Sequence, residues 1–147
     1  RNRQLHWRTI LNILDFRAEV TDLFRKTFQN RANLRLEFEN GAMVDRDTST
    51  VAILRMDIVY LSAEQRDLSE RPWVTEHGDL RFALAFKDGR GTILMNQVIM
   101  EIQKAFERKY MAWGKTYTGT RTPPVVLDKG WVVYRFNVPF SVDRISE

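Results

Sequence analysis

The sequence predicts an α+β fold: a mostly antiparallel sheet of about five strands with two main helices packed on one face. Three observations point there. Two segments repeat apolar residues at spacings of three and four, the signature of helices with one buried face. Several others alternate apolar and polar residues, the signature of half-buried strands. Asparagine, glycine and proline separate these segments. The 147 residues are read as one domain, 1–147, since that length suits a single core. There is no internal repeat and no linker.

Residues 3 to about 29 read as the first helix. Ile10, Ile13, Leu14, Arg17, Val20, Phe24 and Phe28 form the stripe, widened by Leu11, Phe16 and Leu23. Thr21-Asp22 offers a cap for a second helix, which leaves a break near Phe16–Val20 open. Asn30 and Asn33 close the segment, because asparagine tolerates the left-handed conformation at a helix end. Leu34–Phe38 alternates as a strand, and Glu39-Asn40-Gly41 signals a turn. Val44–Thr50 is polar and reads as loop. Val51–Leu61 is a strong strand; Leu54, Met56, Ile58 and Tyr60 form its better core face. Ser62–Pro72 carries both signs of charge and reads as a connection. Trp73–Phe86 is a second long strand, with Gly78 marking a bulge.

Thr92 caps the second helix, whose stripe is Leu94, Val98, Glu101, Ile102, Ala105 and Phe106, with Gly114 closing it. A short strand at Val125–Leu127 and a turn at Asp128-Lys129-Gly130 lead to the last strand, Trp131–Val142. Pro139 assigns that strand to an edge, or ends it. The element order is α, β, β, β, α, β, β.

The composition narrows the chemistry. The net charge is +4 and the pI about 9.6, but 19 acidic residues are interspersed and no Lys/Arg run exceeds two. A solvated mixed surface is the plainer account, beside a dedicated nucleic-acid site. The absence of cysteine removes disulfides, thiol nucleophiles and zinc–thiolate sites, and fits a reducing cytoplasm. No apolar run approaches a membrane span, and the N-terminus is not read as a signal peptide. The chain begins at Arg1 rather than Met, so residues are expected to precede it.

Phe86-Lys-Asp-Gly-Arg-Gly-Thr92 resembles a phosphate-binding loop on first sight. Gly89 and Gly91 are two apart with no lysine after them, and Leu94 stands where a dinucleotide loop needs its third glycine. The pair is read as a tight strand-to-helix corner. His6 and His77 each stand alone, and no carboxylates take up ligand spacing around them. No serine lies in a nucleophile elbow. No catalytic residue, cofactor or metal is therefore expected.

The Ser62–Trp73 stretch is the candidate contact surface: Glu64, Gln65, Arg66, Asp67, Leu68, Arg71 and Trp73. The neighbouring arginines keep the acids there ionised, which suits contact better than acid catalysis. Trp7, Trp73, Trp113 and Trp131 are either interface anchors or core.

Three stretches in order carry a resemblance: "VAILRMDIVYLSAEQRDLSER" (51–71), "EHGDLRFALAFKDGRGT" (76–92) and "GWVVYRFNVPFSVD" (130–143). Together they resemble the tail terminator proteins of long-tailed bacteriophages over about Val51–Val142. The N-terminal segment is longer and more basic than that pattern. The resemblance implies an α/β subunit that assembles with its own copies into a ring, usually of about six. Such a ring caps the head-proximal end of the tail tube, stops its growth and meets the head-completion (connector) protein. DNA would pass through the lumen without specific binding, and no membrane is involved. Another head–tail joining or tail-assembly protein is the alternative. A nucleic-acid-binding module comes next, and an enzyme ranks last.

Overall fold

The structure is a computed structural model describing residues 2–39, 51–70, 72–87, 92–127 and 130–145, with the side chains of 2–12, 92 and 145 outside that description. In chain order the elements are α1 (Asn2–Phe28), β1 (Leu34–Phe38), β2 (Ala52–Gln65), β3 (Trp73–Lys87), α2 (Thr92–Phe106), β4 (Tyr110–Met111), β5 (Gly114–Thr116), β6 (Thr120–Val126) and β7 (Trp131–Ile145).

The expected five-strand antiparallel sheet with two helices laid on one face does not form. Seven strands make one sheet in the order β1-β2-β3-β7-β5-β4, with β6 also paired to β7, and the sheet curls into a half-barrel. β1 runs parallel to β2. Alternation reports which side chains are buried but not which way a neighbouring strand runs, so the parallel pair was invisible in it.

The missing strands were hidden by length. α2 ends at Phe106, not near Gly114, and the segment after it makes the two- and three-residue strands β4 and β5. Neither is long enough to show a period. α1 is unbroken across Phe16–Val20. β2 continues to Gln65, taking in Ser62–Gln65, which read as connection because every residue of that stretch is exposed. β6 runs through Pro123-Pro124; its ladder to β7 shifts register there, between Thr122 and Val125. The corner at Gly89 and Gly91, and the turns at Asn40-Gly41 and Asp128-Lys129, lie outside the described residues.

Pro139 does not mark an edge. It lies within β7, the strand paired to β3 along its whole length. A residue's N–H and C=O point to the same side of its strand. Pro139's carbonyl accepts from Tyr117 N at 2.9 Å. Its missing donor therefore points to that side as well, beyond Thr116, where β5 has ended.

The main core lies between the helices and the sheet. α1 contributes Phe16, Val20, Phe24 and Phe28; α2 contributes Met95, Val98, Ile99, Ile102 and Phe106. Leu54, Met56 and Ile58 meet them from β2, Leu80, Phe82, Leu84 and Phe86 from β3, and Phe136, Val138, Phe140 and Val142 from β7. Period two in the strands and 3.6 in the helices aim these residues at one another. On the other side of the sheet Ile53, Ala85, Trp131 and Val133 form a small second cluster.

The bulge expected at Gly78 sits across from it. The register slips between Tyr60 and Ser62, opposite Gly78 and His77, which leaves Leu61 as the extra residue. Gly78 itself is required by contact: a Cβ there would lie 2.1 Å from Val59 O and 2.6 Å from the Phe140 ring. Gly78→Ala is expected to destabilise the fold by about 2–3 kcal/mol, since backbone or a buried ring must move. Urea unfolding checks this, and a loss below about 0.5 kcal/mol would contradict the packing described.

Candidate interaction surface

The β2–β3 hairpin is supported on one side to its end, where β3 pairs with β7 as far as Trp73 opposite Ile145, but not on the other. β1 pairs with β2 only as far as Phe38 opposite Met56. From Asp57 to Gln65, β2 has β3 on one side and, among the described residues, no strand on the other. That leaves an open sheet edge roughly 30 Å long at the usual strand rise, and its hairpin end is the arm. Every residue from Leu61 to Glu70 is exposed.

The arm is braced rather than loose. Arg66 N donates to Trp73 O at 2.7 Å. Asp67 accepts from Ser69 Oγ at 2.7 Å, Ser69 N at 3.2 Å and Trp73 N at 3.4 Å. These donors, the Ser69 hydroxyl foremost, hold the Asp67 carboxyl below its usual range. The bracing is therefore complete above the ordinary carboxylate range and is lost as pH falls through the lowered value. Arg66 Nε donates to Thr75 Oγ1 at 2.9 Å, and Thr75 Oγ1 donates onward to Asp143 Oδ1 at 2.7 Å. Arg144 Nε reaches Glu76 Oε1 at 2.8 Å. Glu64 Oε2 stands 3.6 Å from His77 Nε2.

Glu64, Gln65, Arg66, Asp67, Leu68 and Trp73 are thus gathered on one arm. Leu68 is 98% exposed and Trp73 42% exposed. Arg71 lies outside the described residues. Of the other tryptophans, Trp131 is buried and Trp113 is 47% exposed; the side chains of Trp7 and His6 lie outside the described residues. Sequence reasoning missed the partners that brace the arm, Thr75, Asp143 and Arg144; Asp143 and Arg144 are distant in the chain and meet β3 only through the β3–β7 register.

It also missed a second exposed surface at the same end of the sheet. β4 and β5 form a hairpin bearing Arg108, Lys109, Tyr110, Trp113, Lys115 and Tyr117, each of them exposed. Tyr110 is 90% exposed. The signal was present in the sequence: residues 108–127 contain no acid. The hairpin is held firmly. Thr116 N donates to Lys109 O at 2.9 Å, and Lys109 N to Thr116 Oγ1 at 2.8 Å. The Thr116 hydroxyl in turn donates to Phe106 O. From α1, Glu19 Oε2 accepts from Ala112 N at 2.6 Å and Asp15 Oδ2 from Trp113 Nε1 at 3.4 Å.

Among the described residues no group of three or more His, Asp or Glu side chains converges as a metal site. No described helix is long and apolar enough to cross a membrane. A cavity of about 490 Å³ lies among Asn33, Ala52, Phe86, Lys87, Leu94 and Trp131, and among its described lining residues Lys87 is the one ionisable side chain.

No known family profile matches the chain, and no curated protein matches it. A solved chain whose name describes no function superposes with a TM-score of 0.49 at 13% identity, over 83% of this chain and 94% of its own. That likeness is too slight to carry an argument about function.

Proposed function

We propose that this chain is a structural virion protein of the phage tail-terminator kind. Its copies form a ring of about six that caps the head-proximal end of the tail tube, stops elongation and receives the head-completion protein. The protein is assembled in the host cytoplasm and resides in the virion tail. DNA passes through the lumen without a specific site, no membrane takes part, and the reading assigns no catalysis and no cofactor. One observation carries the reading beyond the resemblance. The chain presents a hydrogen-bonded, exposed hairpin end, Leu61–Glu70, with Leu61, Leu68 and Trp73 exposed near one another in sequence. Braced surface elements with exposed aromatic and aliphatic side chains suit assembly.

Light scattering on the purified protein, with negative-stain images of the same sample and of isolated tail tubes incubated with it, tests this. The expected result is a ring with a mass about six times the 17.4 kDa chain, seated at one end of the tube. A protein that stays monomeric and leaves tubes undecorated would overturn the proposal.

A further inference from the structure

The two exposed surfaces at one end of the sheet have opposite character. The arm carries Glu64, Asp67 and Glu70 against Arg66, whose Nε is already engaged by Thr75, and Arg71, which lies outside the described residues. The β4–β5 hairpin carries Arg108, Lys109 and Lys115 with exposed aromatic rings, and Lys115 Nζ lies 5.5 Å from the Tyr117 ring centroid.

Their positions are related by the sheet. Val142 of β7 pairs with Glu76 of β3 on one side and Gly114 of β5 on the other. β2 lies outside β3, and β4 lies outside β5. Arm and hairpin therefore stand at opposite lateral margins of the same end, roughly 20 Å apart at normal strand spacing. Within one chain they do not meet.

We infer that the acidic β2–β3 arm of one copy docks on the basic, aromatic β4–β5 hairpin of a second copy of this chain. The inference rests on the ring reading above and names the surfaces that would join its subunits. Unlike patches on opposite margins make a heterologous contact, which leaves a free arm and a free hairpin after each addition and closes when the rotation completes a ring. Opposite charges steer the encounter and fix its register, while Leu68, Tyr110 and Trp113 supply apolar contact. Both surfaces are braced by internal hydrogen bonds, so little ordering is required on docking. A nucleic-acid ligand fits the hairpin alone and leaves the arm, whose acids repel phosphate, without a role.

The test reverses charge on side chains that make none of the hydrogen bonds bracing either surface; of them Glu64 stands 3.6 Å from His77. Glu64→Lys/Glu70→Lys and Lys109→Glu/Lys115→Glu chains are compared with wild type for association in solution and on isolated tail tubes. Circular dichroism confirms that each is folded. Each variant alone is expected to need at least about tenfold more protein to associate, because like charges then face each other. Their equimolar mixture is expected to recover wild-type association, since arm and hairpin are again opposite in sign. If the wild type forms a ring and neither reversal moves its association, the docking is overturned and the ring reading stands. The same holds if the reversals change only retention of a labelled oligonucleotide. A wild type that assembles neither alone nor on tubes overturns the ring reading, and the docking with it.

Discussion

Phe24→Ala is expected to cost about 3–5 kcal/mol of stability, the range for emptying a buried aromatic site. Phe24 is 0% exposed and stands where α1 meets β1 and β3. Its ring centroid lies 5.8 Å from that of Phe28, 5.4 Å from Phe38 and 6.1 Å from Phe82. The pair with Phe38 is edge-to-face, an orientation that gains beyond simple burial. Removing the ring leaves three others facing a void that a helix and a sheet cannot both close by shifting. Thermal unfolding should show a midpoint lower by roughly 10–20 °C. Leu14→Ala on the same helix, at a residue 53% exposed, should change stability by no more than about 0.5 kcal/mol. A Phe24→Ala loss below about 1 kcal/mol would mean that α1 does not seat on the sheet as described.

The second large effect concerns charge. Glu37 in β1 is 1% exposed, and its Oε1 accepts from Arg55 Nη1 at 2.7 Å. Arg55 also grips Asp57 with two donors, Nε at 2.9 Å and Nη2 at 3.0 Å. Those carboxylates, Asp57 first, push the guanidinium further toward its charged form. Close by, Glu39 pairs with Arg17 of α1 and accepts from Ile58 N at 3.1 Å. The network joins the parallel strand β1 to β2 and the first helix.

Arg55→Met should therefore destabilise by about 3 kcal/mol or more, because a buried carboxylate loses a cationic partner and its charge-assisted hydrogen bond. Replacing both charges, Glu37→Met with Arg55→Met, should restore most of the loss, since well-packed apolar groups of similar volume often serve as well as a buried pair. Urea unfolding of the two singles and the double gives the coupling directly. Additive single and double effects would show that the two side chains do not depend on each other.

What could be read without coordinates came from local period. The helix near residues 3–29 and the core face of Leu54, Met56 and Ile58 follow from spacing alone, and those strand residues are buried. The contact stretch was singled out because both signs of charge and few apolar residues leave Glu64–Leu68 nothing to bury. Strand order was beyond that reach. β1 lies parallel to β2, β7 lies between β3 and the short β5, and Pro139 is harmless inside it because its missing donor points past the end of β5. Each is a relation between distant segments that leaves no local period.

The same division holds for the surface. Sequence alone determined that 108–127 is free of acid and that 62–70 is polar, since both are properties of composition. Only the tertiary structure decided that 62–70 and the 108–117 part of the acid-free stretch stand at opposite margins of one sheet end. Pairing energy is set by which backbones lie side by side, and a residue's identity does not record its neighbour across the sheet.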